Sequence, residues 1–158
     1  MSVQSVREYL KPYGLDHLIM EFDVSSATVA LAAQAAGVPE AQIAKTLSFR
    51  GPEGGALLVV CPGDARIDNP KFRAAFGTKA RMLSPEEAVD LTGHAVGGVC
   101  PFALKPGVAV YLDESLRRFD TVYPSAGSDA SAIPLTPAQL EQATGGTWVD
   151  VCKILETI

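Results

Sequence analysis

Histidine and cysteine are scarce in this chain, and long apolar runs are missing from it. Its 158 residues hold two histidines, His17 and His94. Neither belongs to an HExxH or comparable ligand pair, so no metal centre is expected. The three cysteines, Cys61, Cys100 and Cys152, are odd in number, far apart and not in CxxC spacing. A disulfide framework or a zinc site is therefore not expected. The phosphate loop GxxxxGK and the nucleophile elbow GxSxG are also absent. No apolar run approaches the ~20 residues that a membrane helix needs. The first residues, MSVQSVREYLKPYG, show no basic segment followed by an apolar one, so the cytoplasm is the expected compartment. An excess of positive charge is lacking too: the formal net charge is -5. Strong binding of nucleic acid through the overall field is excluded, and DNA is not an expected partner. Contact with RNA must be weak, local or assisted by another protein.

What is present suits a compact domain spanning residues 1–158: 47% of residues are hydrophobic and 20% charged. No internal repeat or low-complexity linker divides it. Apolar Val3, Val6 and Leu10 recur at helical spacing over 2–10, with Pro12 and Gly14 as the stop. Residues 18–22 read as a short strand. The Ala-rich stretch 28–36 reads as a helix ended by Gly37 and Pro39. From Ile43 to Phe49 apolar and polar residues alternate, Leu47 and Phe49 on one side and Thr46 and Ser48 on the other, which predicts a strand entering a hairpin at Gly51–Gly55. The return strand, 56–61, is apolar enough for burial on both faces. A helix is predicted over 69–76, capped by Asn69 with Pro70 at its first position. Ser84-Pro85-Glu86-Glu87 and Thr136-Pro137-Ala138-Gln139 are capping boxes that open two more helices, to about Leu91 and Thr144. Strands are expected at 96–99, 108–112 and 147–151, with a strand pair formed by 121–123 and 132–135. Strands interrupted by isolated helices, without strict alternation, predict an α+β fold with a mixed sheet.

Four features could carry chemistry. Lys45 lies between apolar Ile43 and Leu47, so its side chain must either reach solvent or place its ammonium in a pocket. Taken alone, it reads most simply as a solvated lysine. Next, Val96-Gly97-Gly98-Val99-Cys100-Pro101-Phe102 contains paired glycines that free the backbone for a turn or a close approach to a ligand. Such a loop can aim N–H groups at a carbonyl oxygen that gains charge. Cys100 reads as a small packing residue, because no histidine is placed by the sequence to activate it. The segment Tyr123–Ser131 offers small polar groups to a ligand, or forms an ordinary loop. Finally, Lys71, Arg73, Lys79 and Arg81 could meet phosphates, or present a solvated face.

The order and spacing of these features carry a resemblance that none carries singly. Ile43-Ala44-Lys45-Thr46-Leu47-Ser48-Phe49 resembles the K-T-L strand of the YbaK/ProX-type aminoacyl-tRNA deacylases, a family that includes the editing insert of bacterial prolyl-tRNA synthetases. Gly97–Phe102 resembles its G-G-hydrophobic-S-P loop, and Ser125-Ala126-Gly127 its S-G-G or S-A-G segment. Ala132–Pro137 is similar to the stretch leading into the family's last helix. The resemblance runs from about Asp16 to Val151. It implies a mixed, mostly antiparallel, barrel-like sheet with surrounding helices. It implies hydrolysis of the ester between a wrong amino acid and tRNA, with tRNA(Pro) carrying a small amino acid as the expected substrate and a prolyl-tRNA synthetase as a possible partner. Lys45, Gly97 and Gly98 would be catalytic. Thr28, Thr46, Val99, Cys100, Pro101, Phe102, Ser125 and Gly127 would bind the substrate. Lys71, Arg73, Lys79 and Arg81 would contact tRNA, and no metal or organic cofactor is implied. Two departures stand out. Where many members carry a histidine before the first Ala-rich helix, this chain has Ser25-Ser26-Ala27. After the S-A-G segment, where basic residues are common, it has Ser128-Asp129-Ala130-Ser131. The competing expectation is a domain that keeps the fold and binds tRNA or a synthetase without catalysis.

Overall fold

The chain's helices are set by caps that act within four residues. A computed structural model describes residues 2–94 and 99–155. Helix α1 (Val3–Leu10) starts where the Ser2 hydroxyl accepts the Ser5 N–H, and it buries Val6 and Leu10. Helix α2 (Val29–Ala36) is capped by Thr28, whose hydroxyl accepts the Leu31 N–H at 3.2 Å, and stops at left-handed Gly37. Helices α4 (Pro85–Thr92) and α5 (Pro137–Thr144) open on the two expected capping boxes, Ser84 with Glu87 and Thr136 with Gln139. Helix α3 (Asn69–Phe76) differs from expectation at its first turn. The carboxylate of Asp68, not the amide of Asn69, reaches the Lys71 N–H, so the cap lies one residue earlier. Among the described residues no helix is long and apolar enough to cross a membrane.

The strands are β1 (Met20–Glu21), β2 (Ile43–Arg50), β3 (Ala56–Pro62), β4 (Ala65–Ile67), β5 (Ala109–Asp113), β6 (Tyr123–Pro124), β7 (Ser131–Ala132), β8 (Thr147–Val149) and β9 (Cys152–Ile154). The main sheet runs β6-β2-β3-β5-β8, and the pairs β1-β7 and β4-β9 flank it. The sheet is mixed and the fold is α+β. Antiparallel pairing predominates among the described residues, through the long β2-β3 hairpin and the pairs β1-β7 and β4-β9, while within the main sheet β6-β2, β3-β5 and β5-β8 are parallel. The cause is connectivity, since only the hairpin joins sheet neighbours by a tight turn and the others return through helices and loops.

Several local expectations shift. The strand expected over 18–22 shortens to β1, because Asp16–Leu18 forms a 3-10 turn. Of the strand expected at 96–99, residues 96–98 lie outside the described residues, and Val99 is not in a strand. The pairing of 121–123 with 132–135 narrows to an antiparallel bridge between Val122 and Leu135. The neighbouring strands β6 and β7 turn to β2 and β1 instead.

Alternation along β2 and β3 divides the interior in two. Ala44 and Val60 join Val6, Leu10, Phe102 and Leu140 on one side, and Phe49, Leu57 and Val59 join Phe72 and Val151 on the other. All of β3 is buried, as its apolar composition requires. One buried carboxylate ties the chain's last segment to the sheet. Asp113 Oδ1 accepts the N–H groups of Val151 at 2.9 Å and Cys152 at 3.1 Å, while Oδ2 accepts both the N–H and hydroxyl of Ser115.

Candidate active site

The site begins as a gap in the edge of β2. On one side β3 covers the strand throughout. On the other, β6 pairs only with Ile43 and Ala44. Further along, the stretch 81–83 takes over: Leu83 N–H donates to Ser48 O at 3.0 Å and Arg50 N–H to Arg81 O at 2.8 Å. Between these two covers, among the described residues, no strand pairs with the outer edge at Lys45–Leu47. In an antiparallel hairpin the peptide groups of alternate residues point to the same edge. The parity that turns Ser48 and Arg50 outward therefore turns the N–H and C=O of Thr46 into the gap.

A cavity of about 460 Å³ follows this edge and touches every residue from Ile43 to Ser48. Its walls add Ser26, Thr28, Met82, Val99, Ser125 and Ser131. Its exposed lining is mostly apolar, with hydroxyls and one ammonium set around it, which is the composition of a site for a small organic group. Lys45 is half-buried, and its Nζ donates to Ala65 O at 2.5 Å. An ammonium has three donors, and the bonds it makes among the described residues use one of them. The Thr46 hydroxyl is buried and has no hydrogen-bond partner among the described residues. Such a group costs free energy unless something else satisfies it. The far wall is braced from within: Ser131 Oγ donates to Ser128 O at 3.1 Å, and Ser26 Oγ accepts the Ser131 N–H at 3.1 Å. Ser26 and Ala27, in the stretch just before α2, both line the cavity.

The structure brings Lys45, Thr28, Thr46, Val99 and Ser125 to the cavity. It does not bring Cys100, Pro101, Phe102 or Gly127 there. Cys100 and Phe102 are buried in the core beside α1, and Pro101 is buried between them in sequence. Gly127 has φ +105°, and a Cβ there would stand 2.6 Å from Ser2 O, so glycine is required by packing against the start of α1. Gly97 and Gly98 lie outside the described residues. The sequence offered no signal for Met82 and Leu83. They become wall residues only because the stretch 81–83 adds to the edge of β2.

A histidine does stand beside Cys100, contrary to expectation. His94 Nε2 lies 3.6 Å from Cys100 Sγ and 2.8 Å from Phe102 O. The nearer partner is a carbonyl, which can only accept, so Nε2 carries the proton and cannot serve the thiol as a base. Burial pushes the Cys100 thiol up to about 12 and pushes His94 down, which keeps both neutral. The packing role expected of Cys100 agrees with this geometry.

The four basic residues separate. Lys71 pairs with Asp150 at 3.0 Å and donates to Cys152 O, which docks α3 on β9. Arg73 is exposed on α3. Lys79 and Arg81 line a second cleft with Arg50 and Thr78, beyond the hairpin turn.

Residues 24–143 match the model of the aminoacyl-tRNA editing domain. The chain is 51% identical over 154 residues to "Uncharacterized protein YwhH" of Bacillus subtilis (strain 168), covering 97% of this chain and 98% of that protein. It is 28% identical over 146 residues to "Putative Cys-tRNA(Pro)/Cys-tRNA(Cys) deacylase EbsC" of Enterococcus faecalis (strain ATCC 700802 / V583), covering 92% and 84%. Its fold matches the crystal structure of "a putative trans-editing enzyme for prolyl tRNA synthetase" with a TM-score of 0.87 and 34% identity, over 96% of each chain.

Proposed function

This chain belongs to the family of aminoacyl-tRNA editing domains, and from that premise we propose that it is a trans-editing hydrolase that removes a small, wrongly attached amino acid from tRNA, with tRNA(Pro) as its substrate. The observation that carries this reading is the edge of β2 that no described strand covers, where Lys45 and Thr46 border a cavity of about 460 Å³. A synthetase cannot firmly reject an amino acid that lacks a methylene, because that difference is worth only ~1–3 kcal/mol. A second site that hydrolyses whatever fits it restores accuracy. The aminoacyl ester is already activated, so the protein has to hold the acyl group, admit a water and stabilise the oxyanion.

In this reading the remaining donors of the Lys45 ammonium anchor the acyl group and the terminal ribose. The Thr46 N–H, turned into the gap, polarises the ester carbonyl, and the Thr46 hydroxyl bonds the substrate. Gly97 and Gly98 are assigned to the same carbonyl on sequence grounds alone. Among the described residues the cavity wall offers no histidine or carboxylate as a general base. The substrate's own 2′-hydroxyl therefore assists the attacking water. A prolyl-tRNA synthetase is the partner that hands over the mischarged end.

The test is release of amino acid from a panel of mischarged tRNA(Pro) species. Wild type should hydrolyse at least one of them. Lys45→Ala should lose roughly 10- to 150-fold in kcat/KM, the value of a hydrogen bond from a charged donor. Lys45→Arg should also be impaired, because a planar guanidinium does not replace a compact ammonium. Wild-type turnover in Lys45→Ala would sink the assignment. Binding of every tRNA without any hydrolysis would establish the rival, a non-catalytic tRNA-binding domain.

A further inference from the structure

We propose that the cleft between the β2-β3 hairpin turn and the stretch 78–81 is a phosphodiester site, which seats the single-stranded 3′ backbone of the RNA whose acyl end enters the β2-edge cavity. The inference rests on the reading above for the identity of that RNA, but not for its test.

The cleft has a volume of about 330 Å³ and is lined by Arg50, Gly51, Gly54, Thr78, Lys79 and Arg81 among others, with no carboxylate in its lining. Lys79 and Arg81 are exposed, and neither makes an ion pair among the described residues. Elsewhere Arg66, Arg73, Lys105 and Lys153 have no ion pair among the described residues but do not line this cleft, while Arg7, Lys11, Lys71, Arg117 and Arg118 are tied to carboxylates. Arg50 has a carboxylate too, since its guanidinium pairs with Glu87 of α4. Glu87 is itself held by the Ser84 cap and is not part of the cleft's lining, so Arg50 lines the cleft with its charge already partnered. The result is three cationic side chains and a hydroxyl around a concave surface, the donor set that phosphate oxygens take.

Position gives the cleft its partner. The hydrogen bond from Arg50 N–H to Arg81 O joins its two walls. The same stretch then continues as Met82 and Leu83, which are walls of the acyl cavity. Leu47 lines the cavity and Arg50 the cleft, three strand steps apart, or about 10 Å. The last nucleotides of a single strand span that distance. Met82, the cavity-wall residue next to Arg81, is 62% exposed, an apolar platform on which the terminal base can rest. Lys71, placed by its bonds against β9, is not part of this path.

The experiment measures binding of a fluorescein-labelled, uncharged single-stranded RNA ending in CCA, by anisotropy over a salt series. Each phosphate contact on a single strand contributes about 0.7 to the slope of log affinity against log salt. The variant Lys79→Glu/Arg81→Glu should therefore lower the slope by about 1.4 and weaken binding at low salt. Lys79→Gln/Arg81→Gln, which removes the charges without reversing them, should lower the slope by the same amount. The control is Arg66→Glu/Lys153→Glu, the same charge change on the exposed β4-β9 pair, and it should keep the wild-type slope. The proposal is overturned if the cleft variants keep the wild-type slope, if the control loses as much as they do, or if wild type does not bind the RNA. Because binding is read without hydrolysis, an inactive wild type whose RNA affinity still depends on Lys79 and Arg81 would refute the deacylase reading and leave the cleft standing.

Discussion

Replacing Thr46 by valine should make this protein more stable and less active. The Thr46 hydroxyl is buried and unpaired among the described residues, and valine has nearly the same shape with a methyl in its place. A buried polar group without a partner costs ~1–3 kcal/mol, so relieving it should stabilise by at least about 1 kcal/mol. Valine also suits the middle of a strand at least as well. In a domain of this size ~1 kcal/mol moves the melting temperature by about 2–4 °C, so Thr46→Val should melt at least that much higher. If the hydroxyl serves the substrate, its removal forfeits one neutral hydrogen bond, ~0.5–1.5 kcal/mol, which lowers kcat/KM for mischarged tRNA roughly 2- to 12-fold. Calorimetry and initial-rate deacylation on the same preparation read both effects. Thr46→Ser, which keeps the hydroxyl, should retain most activity. Opposed signs separate a functional group from a structural one. A lower melting temperature in Thr46→Val would mean that the hydroxyl already has a partner, and the reasoning would fail. A higher melting temperature with unchanged kcat/KM would remove the hydroxyl from the substrate site.

Cys100→Ser should keep most of its activity and cost less than about 1.5 kcal/mol, because the new hydroxyl can donate to Phe102 O in place of the thiol; loss of activity by orders of magnitude, or an acyl group trapped on Cys100, would contradict the packing role. Asp113→Ala strands the N–H groups of Val151, Cys152 and Ser115 and should cost more than about 3 kcal/mol in urea denaturation; a loss under 1 kcal/mol, on the order of an ordinary surface substitution, would refute it. Acid should weaken the fold before the carboxylates titrate. His94 is held below its ordinary value of 6.5 by burial, so below about pH 6.5 the unfolded chain binds a proton that the folded chain refuses, and stability falls as pH falls. Melting temperatures between pH 7 and pH 5 should drop in wild type and drop less in His94→Gln; parallel curves would assign the loss elsewhere.

Features that act over a few residues were determined by the sequence itself. The boxes Ser84-Glu87 and Thr136-Gln139 bring their own partners within one helical turn, and the structure forms both. The alternation through Leu47 and Phe49 sets which side chains share a face of β2, and the unbroken apolar run of β3 calls for burial on both faces. Even here the local signal had a limit: adjacent Asp68 and Asn69 can each cap a helix, and only the reach of one side chain to the Lys71 N–H decided between them.

Everything that depends on which distant segments meet was left to the tertiary structure. The strands β4 and β9 have three residues each and exist because they pair with one another from distant parts of the chain; so short a run has no period of its own to read. The parallel pairings of β5, β6 and β8 follow from how helices return the chain to the sheet. The site was settled the same way. Lys45 and Thr46 have their strand positions by alternation, but among the described residues β6 ending at Ala44 and the stretch 81–83 beginning at Ser48 leave their edge open. The same packing draws Cys100 and Phe102 into the core beside α1 and leaves Val99 at the cavity. It also divides four basic residues that lie close in sequence, sending Lys71 to Asp150 and Lys79 and Arg81 to the cleft. The physical reason is one of range: caps and alternation are energies of neighbouring residues, whereas an edge, a cavity and a cleft are defined by the segments that pack on either side of a gap.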